Sequence, residues 1–102
     1  MVMKRKPKKI PDSVLACVWF AHPKYLDWEE SKEIVVTNIL NRGGLEAVRW
    51  AFHFYGENVI RDVIASPKRS HWFPEALNFW SRFFNLTIDP KIYQKALFRL
   101  GP

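Results

Sequence analysis

Two glycine breaks within residues 42–65 constrain the fold more than any other feature of this sequence. Gly43-Gly44 precedes a run of apolar and aromatic residues, and Gly56 follows that run with a second apolar segment close behind. Glycine at such positions ends one helix and lets the chain turn before the next begins. Apolar residues recur at helical spacing on both sides of Gly56. The pattern predicts short helices that pack as an orthogonal cluster rather than as a long hairpin.

The helix predicted over residues 45–55 is apolar around most of its circumference. Only Glu46, Arg49 and His53 interrupt the apolar and aromatic side chains. A helix with this pattern lies at the centre of its fold or shares a face with a partner. The same residues therefore predict both a central helix and a candidate interface.

The remaining helices are marked by residues that favour helix ends. Asp27 with Glu30 three residues later resembles a capping box, Pro74 suits a first helical turn, and Asp89-Pro90 combines a cap with a proline at the first position. Residues 12–22 predict an extended or single-turn segment that lies over the helices. We expect an all-α fold of about five short helices, with one domain over residues 12–102.

Positive charge is concentrated at the N-terminus. The formal net charge is +6, and five of the 16 Lys and Arg residues lie among the first ten residues, which contain no acid. The rest of the chain is nearly balanced, with 11 basic and 10 acidic residues. Like charges and two prolines oppose a helix here, so residues 1–11 are predicted to form a flexible, disordered basic arm.

One interpretation of the basic residues is DNA binding by a helix-turn-helix. The helix expected over 57–65, the basic loop 66–70 and the helix from Pro74 have the required order. However, the second helix is expected to expose Glu75, Asn78, Ser81 and Arg82, only one of which is basic. The candidate nucleic-acid contacts are Lys4, Arg5, Lys6, Lys8, Lys9, Lys68 and Arg69.

The sequence shows no pattern typical of an active site. His22, His53 and His71 lie far apart, and Cys17 is the single cysteine. No glycine-rich phosphate loop follows a predicted strand. We therefore expect no catalytic residues, no cofactor, no metal and no small-molecule substrate. One cysteine and no long apolar run favour a reduced, cytoplasmic setting without a membrane anchor.

Four blocks of sequence carry a resemblance to a known group of proteins. They are Phe20–Glu29 with its Leu-Asp-Trp-Glu, Ile39–Trp50 with Arg-Gly-Gly-Leu-Glu-Ala-Val-Arg-Trp, Phe54–Glu57, and Ala76–Trp80. In this order they resemble a small bacterial family of antitoxins that accompany AbiEii-type nucleotidyltransferase toxins. The resemblance covers roughly residues 20–86, and it implies a non-catalytic protein that binds and neutralises a cognate toxin.

The resemblance and the aromatic content together suggest which residues meet such a partner. Aromatic residues make up 16% of the chain, and a contiguous exposed group of them would mark an interface. Acids would complement a toxin that is basic around its nucleotide site. The predicted partner-binding residues are Glu29, Glu30, Glu33, Glu46, Trp50, His53, Phe54 and Trp80.

Overall fold

The computed structural model describes residues 7–69 and 71–98, and these residues form a helical fold. The all-α prediction is confirmed, and no strand occurs within the two described ranges. Residues 7–69 and 71–98 contain six helices where about five were expected, because the segment over residues 12–22 includes a single helical turn. The helices are α1 (Asp12–Leu15), α2 (Lys32–Arg42), α3 (Gly44–Tyr55), α4 (Glu57–Ala65), α5 (Pro74–Phe83) and α6 (Pro90–Ala96).

Helix α3 has the central position that its apolar circumference predicts, since it packs against α1, α2 and α4. Ala47 and Ala51 are fully buried on its inner face, and their small side chains allow neighbouring helices to approach closely. Gly43 is part of the same close packing. A Cβ atom at Gly43 would lie 2.8 Å from the Ala47 Cβ atom and 2.8 Å from the Ile39 carbonyl oxygen.

Gly56 both ends α3 and starts α4. Its backbone has φ of 89° and ψ of 157°, a conformation that is essentially restricted to glycine. The Gly56 amide still donates a 3.1 Å hydrogen bond to the Phe52 carbonyl, and this bond completes the last turn of α3. The direction of the chain therefore changes between two helices without an intervening loop.

The start of α2 differs from the sequence expectation. The Asp27 carboxylate accepts hydrogen bonds from the amides of Glu29 and Glu30 at 3.1 and 3.0 Å, as a cap does. These bonds stabilise a turn over residues 28–31, and the continuous helix begins only at Lys32. The expected helix start was five residues too early because a capping side chain also stabilises an isolated turn.

The segment before α2 covers one side of the helices. Within it, α1 is the single turn that the sequence allowed, and Val14, Cys17 and Val18 are buried. Of the predicted arm, residues 1–6 lie outside the described residues. Ile10 is half-buried and packs against the core, and the Pro11 carbonyl accepts hydrogen bonds from the amides of Val14 and Leu15 in α1.

The C-terminal part is attached through Trp72, which is fully buried. The Trp72 amide donates to the Ala96 carbonyl at 2.9 Å, and the Phe98 amide donates to the Trp72 carbonyl at 2.7 Å. These bonds form an isolated parallel bridge between Trp72 and Leu97. Helix α6 therefore ends at Ala96, because Leu97 has an extended backbone and takes part in the bridge.

Candidate protein-interaction surface

One aromatic cluster joins α3 to the turn before α2. The Trp28 and Trp50 ring centroids are 5.6 Å apart, and Trp50 stacks on Phe54 at 5.0 Å. The Tyr55 hydroxyl donates a 2.7 Å hydrogen bond to the Trp28 carbonyl. Trp28 and Tyr55 are buried, whereas Trp50 and Phe54 are half-buried at the edge of the core. We call these four residues the Trp28 cluster.

A second aromatic cluster lies where α5 meets the opposite side of α3. Phe52 lies 5.9 Å from Trp80 and stacks on Phe84 at 6.1 Å, and Phe79 stacks on Phe83 at 6.2 Å. Phe79 is 57% exposed and Phe83 is 59% exposed. These five residues are named the α5 ring cluster. Its inner rings contribute to the fold, while its two outer rings face solvent.

The structure places the predicted aromatic anchors in different clusters. Trp50 and Phe54, one turn apart on α3, lie in the Trp28 cluster, whereas Trp80 lies in the α5 ring cluster. His53 is exposed and belongs to neither. The division follows from helical periodicity, because Phe52 points to the opposite side of α3 from Trp50 and Phe54.

The predicted acidic anchors differ in their surroundings. Glu33 forms a 2.9 Å ion pair with Lys68. The Glu46 carboxylate accepts a 2.9 Å hydrogen bond from the Ser13 hydroxyl, which links α3 to α1. Glu30 is exposed and Glu29 is half-buried. Thus Glu33 and Glu46 each have a contact within the fold in addition to any contact with a partner.

The residues of the nucleic-acid interpretation do not form one described surface. Lys4, Arg5 and Lys6 lie outside the described residues, while Lys8, Lys9 and Arg69 are exposed. Lys68 is the partner of Glu33.

On the helix that would read DNA, one residue that was predicted to be exposed is buried. Glu75, Asn78 and Arg82 are exposed on α5, but Ser81 is only 7% exposed and its hydroxyl donates to the Asn78 carbonyl at 3.2 Å. The expectation that Ser81 is exposed was wrong, because its position on α5 turns inward beside Leu77. Arg82 is left as the one basic side chain among the exposed residues of this set.

Neither Phe79 nor Phe83 was among the residues predicted to bind a partner. Phe79 and Phe83 are one turn apart at the edge of an apolar arc that continues through Trp80 and Phe84 to buried Leu77. The sequence feature that indicates exposed rings on α5 is the width of this apolar arc. Four aromatic residues within six positions cover more of a short helix than neighbouring helices bury.

The described residues contain no assembled metal site. Across 7–69 and 71–98, no group of three or more His, Cys, Asp and Glu side chains lies close enough to hold a metal ion. His22, His53 and His71 are all exposed. The thiol of Cys17 donates to the Ser13 carbonyl at 3.3 Å; burial raises its pKa, and the positive charge of Arg42 lowers it to a smaller extent.

These features define a small helical protein with two aromatic clusters against its central helix α3 and with exposed rings on α5. No helix in the part of the chain that the structure describes is long and apolar enough to cross a membrane. Residues 17–64, from the end of the first apolar segment through α4, match the model of a family of unknown function, DUF6922. Neither a curated protein nor a solved structure matches the chain.

Proposed function

We propose that this chain is a non-catalytic, antitoxin-like protein that binds and neutralises a nucleotidyltransferase-type toxin in the cytoplasm. The observation that supports it is the exposure of Phe79 and Phe83 in the α5 ring cluster. The identity of the partner rests on the sequence resemblance. The binding surface rests on the geometry of the rings.

The outer rings of the α5 ring cluster have the character of interface anchors. Phe79 and Phe83 stack on each other, and both contact Trp80, at 5.0 and 5.2 Å between ring centroids. Because the inner rings fix their positions, little side-chain entropy remains to be lost on binding. Aromatic side chains of this kind are enriched at the centres of protein interfaces and contribute much of the binding energy.

The Trp28 cluster makes a smaller contribution to the proposed interface. Trp50 and Phe54 present only their outer edges, because Trp28 and Tyr55 pack against their inner sides. His53 and Glu46 are exposed on the α3 surface beside Trp50. This side of α3 would form a second, more polar contact area, at which Glu46 on α3 and Glu30 in the turn before α2 provide charge complementary to a basic toxin.

Co-purification tests the proposal. The full-length chain is co-expressed with a tagged product of the neighbouring gene, and the complex is captured in high salt. A stoichiometric complex with a nucleotidyltransferase-like protein is expected, since burial of aromatic rings is insensitive to salt. The double variant Phe79→Ser/Phe83→Ser is expected to lose the complex and to leave the toxin active in a growth assay.

Tyr25→Ser is the matched control, because Tyr25 is 79% exposed and lies outside both clusters. It should keep the complex. Thermal melts of each variant show whether the fold is retained, which is expected because the substituted rings are already largely exposed. A folded double variant that still binds and neutralises the toxin would contradict the proposed surface. Absence of a complex with the neighbouring product would contradict the proposed partner.

The alternative is a DNA-binding regulator that uses the basic arm and the 66–70 loop. The exposed Lys8, Lys9 and Arg69 favour it, but the ion pair of Lys68 with Glu33 occupies one of its contacts. Duplex binding by phosphate contacts would weaken steeply as salt rises. A gel-shift titration with duplex DNA at two salt concentrations separates this alternative from toxin binding.

A further inference from the structure

A third aromatic surface lies at the C-terminal end of α2, and the proposed function does not use it. The Arg42 guanidinium carbon lies 5.1 Å from the ring centroid of Trp19 and 4.9 Å from that of Phe73. Phe73 lies 6.2 Å from Phe98, and Trp19 lies 6.2 Å from Phe20. We call these five residues the ring platform. Its rings and its cation form one continuous group.

The ring platform is held in place by backbone and side-chain hydrogen bonds. Asn41 donates to the His71 carbonyl at 2.8 Å and accepts from the Phe73 amide at 3.0 Å, which fixes Phe73 beside Arg42. The bridge at Trp72 places Phe98 next to Phe73. These hydrogen bonds therefore fix the positions of Phe73 and Phe98 in the folded protein.

Much of this fixed surface is open to solvent. Trp19 is 61% exposed and Phe98 is 46% exposed, and Phe20 and Arg42 are also exposed. Arg42 forms no ion pair with any residue of 7–69 or 71–98. Its interactions with the two rings restrict the side chain without neutralising its charge.

Arg42 gives the ring platform its charge. The four rings are neutral, so the guanidinium is the one charged group among the five residues of the platform. Two acids are close in sequence, since Glu46 is four residues after Arg42 and Glu75 is two residues after Phe73. Of these, Glu46 accepts a hydrogen bond from Ser13. The positive charge of Arg42 among exposed rings therefore favours an anionic ligand.

We propose that the ring platform binds single-stranded nucleic acid. Exposed rings beside free cations are the combination by which proteins bind single strands, with bases stacking on rings and phosphates contacting cations. Trp19, Phe20 and Phe98 provide the stacking surfaces, and Arg42 provides the phosphate contact. Arginine suits this position because its planar cation packs on rings and still presents N–H donors to phosphate.

The same geometry disfavours duplex DNA. Paired bases stack on one another, so their faces are closed to Trp19 and Phe98 unless the strands separate. The platform also presents no helix face of the kind that enters a major groove, since Trp19, Phe73 and Phe98 lie in irregular segments. Binding is therefore expected to prefer a single strand over a duplex of the same sequence.

Fluorescence anisotropy with the full-length chain tests the proposal. The probes are a labelled oligothymidylate of about 16 nucleotides and the same strand paired with oligoadenylate. Tighter binding of the single strand is expected. Trp19→Ala should weaken that binding by roughly tenfold or more, the loss expected for one stacked base. Arg42→Gln, which keeps a planar side chain but removes the charge, should weaken binding and reduce its dependence on salt.

Two control variants make the result decisive. Phe79→Ala removes an exposed ring from the α5 ring cluster and should leave single-strand binding unchanged, while it weakens toxin binding. Replacement of Lys4, Arg5 and Lys6 by serine should lower all polyanion binding but keep the loss caused by Trp19→Ala. Equal binding of both probes would overturn the proposal. Equal losses from Trp19→Ala and Phe79→Ala, or no loss from Trp19→Ala, would also overturn it, and none of these outcomes bears on the toxin complex.

Discussion

The hydroxyl of Tyr55 donates a 2.7 Å hydrogen bond to the backbone carbonyl of Trp28 in the core of the molecule. The two residues are 27 positions apart, and both are buried. This bond ties the last turn of α3 to the turn that precedes α2. It also explains why a tyrosine, rather than a phenylalanine, ends the aromatic run of α3.

Tyr55→Phe is therefore expected to destabilise the protein without changing its shape. The substitution keeps the ring but leaves the Trp28 carbonyl without this donor, at a cost of about 1–2 kcal/mol in the free energy of unfolding. Urea denaturation measures the change. Tyr25→Phe, at an exposed tyrosine, should change the free energy by less than about 0.5 kcal/mol. Equal effects of the two variants would show that the Tyr55 bond does not stabilise the fold.

Asn41→Ala is expected to loosen the connection between α2 and the segment that contains Trp72. It removes both hydrogen bonds of the Asn41 amide, one to the His71 carbonyl and one from the Phe73 amide. A loss of about 1–3 kcal/mol follows. Hydrogen exchange at the Phe73 amide should become faster than in Asn78→Ala, a control at an exposed asparagine on α5. Unchanged Phe73 protection would contradict the role given to Asn41.

Gly56→Ala is expected to destabilise the junction between α3 and α4 through the backbone alone. A Cβ atom at Gly56 would meet no atom within 4 Å, so a steric clash is not the cause. The positive φ of 89° is the cause, and the expected cost is about 1–3 kcal/mol.

Asn85→Gly provides the contrast to Gly56→Ala. Asn85 has a φ of 54°, a left-handed conformation that glycine adopts without strain. This substitution should change the free energy of unfolding by less than about 1 kcal/mol. Thermal melts of both variants check the pair, and a Gly56→Ala protein as stable as the original would refute the argument from backbone strain.

The buried thiol of Cys17 predicts how stability varies at alkaline pH. Burial raises the thiol pKa in the folded state, with a smaller opposing effect of Arg42. The unfolded chain loses the thiol proton near pH 8.5, at a lower pH than the folded chain does. The contribution of this thiol to the free energy of unfolding is therefore complete below that pH, and it is lost as the pH rises through the folded-state pKa.

The free energy of unfolding should therefore fall more steeply as the pH rises above about 8.5 in the original chain than in Cys17→Ala. Denaturant titrations at several pH values measure the two slopes. Because all other ionisable groups are shared, their contributions cancel in the difference. Parallel slopes would mean that the thiol does not experience the buried environment that the structure gives it.

The helix ends were predictable where the sequence breaks the backbone pattern. Gly56 and Pro74 act locally, through positive φ and through a missing amide proton, so they determine an end whatever the neighbouring helices do. Asp27 acts through its side chain, which satisfies the amides of a turn as readily as those of a helix. The five-residue error at α2 arose from that ambiguity.

The positions of the exposed rings were less predictable for a physical reason. Helical spacing shows that Phe52 and Trp50 point to different sides of α3, but not which side each neighbouring helix covers. That depends on contacts distant in sequence, such as those of Phe52 with Trp80 and Phe84. Trp19 and Phe98 lie outside any helix, so periodicity says nothing of their exposure.

The graded burial of the five tryptophans gives the chain a spectroscopic property of its own. Trp28 and Trp72 are buried and Trp50 and Trp80 are half-buried, whereas Trp19 is largely exposed. A collisional quencher such as iodide reaches Trp19 first, and the charge of Arg42 draws that anion towards it. The quenchable, red-shifted part of the native emission therefore reports on one indole, and the unlabelled chain carries its own optical probe of that surface.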